Sequence, residues 1–401
     1  MIAVPFSALK DKMKAIASSL LVGSYLLGRA EAHGALVHPR SRNSIDYEQV
    51  NCDAGSDHCA ANAKGTGCVN YTHPTEPCYN GQASFWYSQG CFIGCDECDH
   101  KSGRRQTDLC GSGKAATLPD YARSVNRNAT RGSALDIYKH NPWSAPGSAP
   151  VADACGLAGG WPWGNDGGEA GLYVNTTNAR HGQNGTTLLP TPAAAEWVIG
   201  GEAEVSWQVR NNHGGGYSYR LCPASEPLTE ACFQRHPLAF QPSLSTLAFA
   251  DGSRVAYRPT LVSEGTQPAG STWARIPIAP TALGPICIPG PGDDPAAPNS
   301  CAKANNHADS EPCGCTPCPQ TPGSDCSRCD NCGTPAFEPV ATHGGRPVMG
   351  VGPVVGMNDV VKVPGTLPPG RYVLGWRYDC EATAQVWSNC ADITLVAPTA
   401  A

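Results

Sequence analysis

The chain has 401 residues, with 28 Lys and Arg against 34 Asp and Glu, a formal net charge of −6 and 21 cysteines. An acidic balance with no basic block offers no electrostatic footprint for nucleic acid or an anionic membrane surface. So many cysteines are a redox liability in a reducing cytosol and a set of staples in an oxidising compartment, which argues for an exported protein.

Residues 1–32 read as a secretory signal peptide. Lys10, Lys12 and Lys14 supply a basic start, Ala15 to Gly28 is largely apolar, and Ala30-Glu31-Ala32 offers small residues for cleavage. The apolar run is shorter than the ~20 residues a bilayer span needs. The expected product is secreted and extracellular, begins at His33 and acts as a monomer. Asn70, Asn128, Asn175 and Asn184 open Asn-x-Ser/Thr sequons and are candidate glycosylation sites.

Residues 33–195 are loop-rich, with eight cysteines between Cys52 and Cys110. Tyr79, Trp86, Tyr87, Trp161 and Trp163 are spread through this stretch, and any of them could stack on a sugar ring or simply pack. After it, strand patterns dominate. In "AEVSWQV" (203–209), Ala203, Val205, Trp207 and Val209 share a face. In "RYVLGWRYD" (371–379) the shared face carries Tyr372, Leu374, Trp376 and Tyr378, and in "CADITLV" (390–396) it carries Ala391, Ile393 and Leu395. Short alternating strands between turn-rich loops predict an all-β, immunoglobulin/fibronectin-like sandwich with long disulfide-stapled loops. One domain is expected over 33–397, with a tail at 398–401.

Residues 288–335 form a Cys/Pro-rich insertion, which in a secreted chain reads as a stapled surface loop rather than a zinc site. Cys222 and Cys232, ten residues apart, are placed to close a short loop after a strand and are the one pairing the sequence suggests.

Cleavage after Ala32 would give His33 a free α-amine beside its imidazole. The amine and the ring Nδ1 can close a chelate on one metal ion, and the amine's pKa of ~7.7–8 makes its deprotonation easy near neutral pH. A second imidazole opposite would complete three nitrogens, a set that suits Cu(II) best among divalent first-row ions. Ten other histidines could supply it. His38 is too near to oppose His33, and His58, His73 and His100 sit in the cysteine-dense loops. His140, His181, His236, His307 and His343 have no clear flanking element. His213 ends a strand and precedes Gly214-Gly215-Gly216, a good mounting for a ligand, although a loop histidine is as easily just solvated.

His33-Gly34, "NNHGGGYSYRLCP" (211–223) and "YDCEATAQVWSNCADITL" (378–395) together resemble the lytic polysaccharide monooxygenases grouped under the chitin-binding type-4 domain. The resemblance implies a histidine brace of His33 and His213 holding one copper ion. It further implies an external electron donor, oxygen or hydrogen peroxide as co-substrate, and oxidative cleavage at C1 or C4 of an insoluble β-linked polysaccharide such as chitin or cellulose. By the same resemblance Trp387 stands where the family packs Tyr or Phe at the axial side of copper, and Gln385 stands where several members place an outer hydrogen-bonding Gln. The tryptophan departs from the family pattern and could equally be core. An alternative is a non-catalytic chitin- or carbohydrate-binding protein of the same fold, and a third is a copper carrier. Hydrolysis has little support, since Asp53, Asp166 and Glu169 are not paired by any motif and no GxSxG or HExxH segment is present.

Overall fold

The computed structural model describes residues 33–42, 87–88, 90–95, 117–124, 130–133, 136, 138–158, 178–180, 182–211, 213–241, 243, 245–249, 253–277, 286–287, 329–330, 342–343, 346–347, 354–381 and 383–399. Its elements in chain order are β1 (His33–His38), β2 (Tyr87–Ser88), β3 (Ala195–Val198), β4 (Glu202–Asn211), β5 (Gly216–Pro223) and α1 (Glu230–Gln234). Then follow β6 (Ala239–Phe240), β7 (Thr246–Phe249), β8 (Arg254–Ala256), β9 (Leu261–Val262), β10 (Trp273–Arg275), β11 (Ile286–Cys287) and β12 (Cys329–Asp330). The chain closes with β13 (Thr342–His343), β14 (Arg346–Pro347), β15 (Val354–Lys362), β16 (Gly370–Asp379) and β17 (Val386–Val396).

Two sheets form a sandwich. One runs β1-β4-β15-β7-β8 with β6 added to β15, and the other runs β2-β17-β16-β5-β10-β9 with β3 added to β17. Two further two-stranded sheets, β11-β12 and β13-β14, are formed among the described residues. The Cys/Pro-rich insertion lies outside the described residues except for β12.

The alternating apolar faces supply the core between the sheets. Ala203, Val205 and Trp207 of β4 meet Tyr372, Leu374, Trp376 and Tyr378 of β16 and Ala391, Ile393 and Leu395 of β17 in one continuous cluster. Strict alternation predicts that the opposite faces of β16 and β17 meet water. They do not, because loops and α1 cover them. Val373 packs with Phe233 of α1, and Val386 packs with Ile93, Ala122, Ala145 and Ala149. The polar residues there are buried in pairs: Asp392 accepts from Arg42 Nε and Nη2 at 2.9 Å each. Burial alone would raise the Asp392 carboxyl, but the Arg42 pair and Thr191 donors outweigh it and hold it below the usual carboxylate range. Two disulfides tie loops to this face: Cys222–Cys232 closes the turn into α1, and Cys155–Cys390 anchors the 150s loop on β17.

One carboxylate crosses the core itself. Asp359 on β15, 1% exposed, accepts hydrogen bonds from Ser245 Oγ at 2.7 Å, Tyr217 Oη at 2.9 Å and Tyr219 Oη at 3.4 Å. Burial nevertheless pushes it up to about 6, because three neutral hydroxyls do not replace lost water around a full charge. A carboxyl raised in the fold keeps its stabilisation below its unfolded pKa and loses it as pH rises through the folded value. A rise of about two units corresponds to about 3 kcal/mol. Asp359→Asn cannot ionise, so between about pH 4 and about pH 8 it should gain up to about 3 kcal/mol relative to wild type in paired urea melts. A constant difference between the two proteins across that range would show that folding does not shift the Asp359 carboxyl.

Candidate functional site

β1 forms the edge of its sheet and pairs antiparallel with β4, in a register that sets His33 against Asn211 and Gly34 against Val209. The backbone of His33 therefore lies beside the last residue of β4, two positions before His213. Gly34 is required by what it rests on. A Cβ at this position would lie 2.9 Å from the Trp376 ring, 3.2 Å from Trp207 and 3.4 Å from Tyr378. Only a residue without a side chain lets β1 settle on these three rings.

Residues 213–215 lead into β5 of the second sheet, starting two residues after β4 of the first ends at Asn211. Gly214 (φ 68°) and Gly215 (φ 90°) take the left-handed turn this crossing needs. A Cβ on Gly215 would come within 2.1 Å of the Asp379 carbonyl oxygen, so the loop lies directly on the end of β16. His213 is 2% exposed, and its backbone N–H donates to Tyr378 Oη at 3.2 Å. That hydroxyl in turn donates to the Gly214 carbonyl at 2.9 Å. Tyr378 thus touches Gly34 with its ring and holds the His213 loop with its hydroxyl.

Glu381 braces the same loop from the other side. Its Oε2 accepts from the Gly215 N–H at 3.3 Å and from Arg275 Nη2 at 3.2 Å, and its backbone carbonyl accepts from Asn141 Nδ2 at 2.7 Å. Burial pushes this carboxyl up to about 7, with Arg275 and the Gly215 N–H pulling the other way.

The connection from β16 to β17 is closed by the Cys380 N–H donating to the Gln385 carbonyl at 3.1 Å. Inside it, Thr383 Oγ1 lies 3.3 Å from His213 Nδ1 and donates to Gln385 Oε1 at 3.2 Å. Gln385 sits one residue before β17 and is partly exposed. Trp387 is 1% exposed and belongs to the main core, directly opposite Tyr378. Trp387 therefore packs as a core residue at the end of the strand pair. Cys380 carries a free, fully buried thiol within hydrogen-bonding reach of Tyr378, Thr383 and Trp387. Burial pushes that thiol up to about 12, so it stays protonated.

Of the expected site residues, the structure gathers the His33 backbone, His213, Gln385 and Trp387 around the same strand ends. Tyr378, Thr383 and Glu381 join them through contacts with His213, Gly215 and Arg275, each more than a hundred residues away in sequence. The side chain of His33 is outside the described residues, as are Tyr79, Trp86, Trp161 and Trp163. Tyr87 is described by its backbone alone, which pairs with Trp387. Among the sequon asparagines only Asn184 is described, and it is exposed. Among the other histidines, His236 lies by the far end of β5, donating its N–H to Phe233, and His140 packs edge-on to Phe92. Among the described residues no three His, Cys, Asp or Glu side chains converge as a metal cluster.

The donor chemistry fits a copper ion held by two histidines. A buried imidazole has its Nδ1 engaged by a hydroxyl, and a second histidine is brought by its backbone to the neighbouring strand end.

No protein-family model and no curated protein sequence matches the chain. The solved structures similar to it include three that follow. A lytic polysaccharide monooxygenase of group AA15 from Thermobia domestica, in the Cu(I) state, aligns over 91% of this chain and 99% of its own at 13% identity and TM-score 0.27. A chitin-binding domain from Burkholderia pseudomallei aligns over 91% and 100% at 11% identity and TM-score 0.32. The cellulose-active monooxygenase CelS2, in complex with copper, aligns over 91% and 100% at 11% identity and TM-score 0.23.

The close seat of Gly34 makes a direct expectation. Gly34→Ala drives a methyl against rigid rings, and overpacking of this kind costs about 1–3 kcal/mol. Val37→Ala, at a position 39% exposed on the same strand, should shift stability by less than about 0.5 kcal/mol. Chemical melts of the two variants against wild type check the difference.

Proposed function

We propose that this chain, cut after Ala32, is a secreted copper-dependent polysaccharide monooxygenase acting on an insoluble β-linked polymer such as chitin or cellulose. The observation that carries the reading is the seating of both histidines on one support. Gly34 fixes β1 against Trp207, Trp376 and Tyr378, and the Tyr378 hydroxyl fixes the loop of His213. In this reading the α-amine and Nδ1 of His33, with Nε2 of His213, hold the metal, and the group supplies one-electron redox chemistry with an external donor and oxygen or hydrogen peroxide.

The chain's own residues do the positioning. Thr383 engages Nδ1 of His213 and so directs the other ring nitrogen toward the ligand position. Tyr378 and Glu381 immobilise the loop on both sides, so that His213 need not be ordered when metal binds. Gln385, partly exposed at the mouth of the same connection, is placed to meet solvent or a ligand at the site, and Trp387, buried in the core beside it, would shield one side of a bound ion. Tyr87, paired by its backbone with Trp387, is the aromatic candidate nearest in register for holding a sugar ring.

The test is a Cu(II) titration with electron paramagnetic resonance on the form beginning at His33. One copper per chain with an axial, nitrogen-rich spectrum is expected. His213→Ala and a form with one extra Ala before His33 should each bind at least about 100-fold more weakly, more than the 10–100-fold typical of changes outside the ligand shell. The wild-type form, given a reductant and chitin or cellulose, should release oxidised oligosaccharides. Equal, weak copper binding by all three forms, with retention on the polymer, would instead make the protein a binding module.

A further inference from the structure

We infer that Thr383 and Gln385 form a proton-ordering relay that fixes the tautomer of His213, placing its proton on Nδ1 and its lone pair on Nε2. The relay deepens the copper reading and rests on it for its purpose, but its geometry stands without a metal.

The inference follows from the donors and acceptors available. A threonine hydroxyl has one proton and two lone pairs, and an amide carbonyl oxygen can only accept. Thr383 donates its single proton to Gln385 Oε1 at 3.2 Å. It then has nothing left to give to His213 Nδ1 at 3.3 Å, so that contact is a hydrogen bond only if Nδ1 brings the proton. The hydroxyl proton and one lone pair thereby each have a partner of the right kind, with His213 and Gln385 drawn from two separate segments of chain.

A free imidazole samples both tautomers, and a protein with only part of its population in the binding-competent form binds correspondingly more weakly. Ordering the proton in advance removes that penalty. Gln385 acts here through Thr383, so both are positioning residues rather than ligands.

The test reads the ring directly. In metal-free, ¹⁵N-labelled protein beginning at His33, long-range ¹H–¹⁵N correlations identify the protonated nitrogen of His213, assigned by loss of the signal in His213→Gln. Protonated Nδ1 and unprotonated Nε2 are expected in wild type. Thr383→Val keeps the shape, removes the hydroxyl and should yield mixed or reversed tautomers, with Cu(II) affinity lower by about 10–100-fold. Thr383→Ser should restore both. A wild-type ring protonated on Nε2 overturns the relay even if no variant folds, and so does Thr383→Val with an unchanged ring and unchanged affinity. Failure of the wild-type protein to bind copper at all sinks the monooxygenase reading instead and leaves the tautomer measurement intact.

Discussion

The close contact of Gly34 with three aromatic rings is the constraint on which the candidate site depends. β1 belongs to one sheet, and Trp376 and Tyr378 belong to a strand between β17 and β5 in the other. The contact therefore fixes the separation of the two sheets at the end where His33 emerges. Trp207 of β4 completes the stack, with ring centroids 5.0 Å from Trp376 and 5.5 Å from Tyr378. Aromatic packing of this kind is dense and short-ranged, so displacing any one ring shifts its neighbours. Because the same Tyr378 holds the His213 loop, one cluster positions two residues that lie 180 apart in the sequence.

The outer face of the second sheet serves the site differently, through charge. Arg377 pairs with Asp379 and Glu230, Asp379 accepts from the Gly147 N–H, and Glu381 takes Arg275 and Gly215. Buried pairs of this sort add little net stability over apolar residues of the same size, because desolvation offsets their attraction. Removing one partner leaves a charge without compensation, however, so each loop has few alternative placements. The 147–149 segment and the Gly215 turn before β5 are held in this way, where a purely apolar cover could slide.

The apolar faces of β4, β16 and β17 were legible because a two-residue period reports which side chains share a face. The fate of the other face was not. Asp392 reads as a solvent position, yet it is buried against Arg42, 350 residues earlier. Val373 and Arg377 read as exterior, yet α1 and the 145–149 loop cover them. Cys222 and Cys232 are a local pair that spacing can suggest, whereas Cys155 and Cys390 are 235 residues apart and meet only once β17 is in place. The site divides along the same line. His33, His213, Gln385 and Trp387 belong to recognisable segments, while Tyr378 looks like one more core aromatic and Thr383 carries no signal. Their roles come from contacts across 165 and 170 residues, and no periodicity encodes a hydrogen bond at that range.

Cys380 shows what the site requires of its surroundings. An odd number of cysteines leaves a thiol over, and among the described residues the free one is Cys380, beside the loop of His213. In an oxidising compartment a thiol persists only if it is shielded, since both disulfide exchange and oxidation proceed through an accessible thiolate. Cys380 is 0% exposed and burial pushes it up to about 12, so neither condition is met. Tyr378, Thr383 and Trp387, which enclose it, are the same residues that hold the candidate site together. A substitution that loosened them would therefore expose a reactive sulfur beside the candidate site as well as displace a histidine, and the two demands favour the same tight packing.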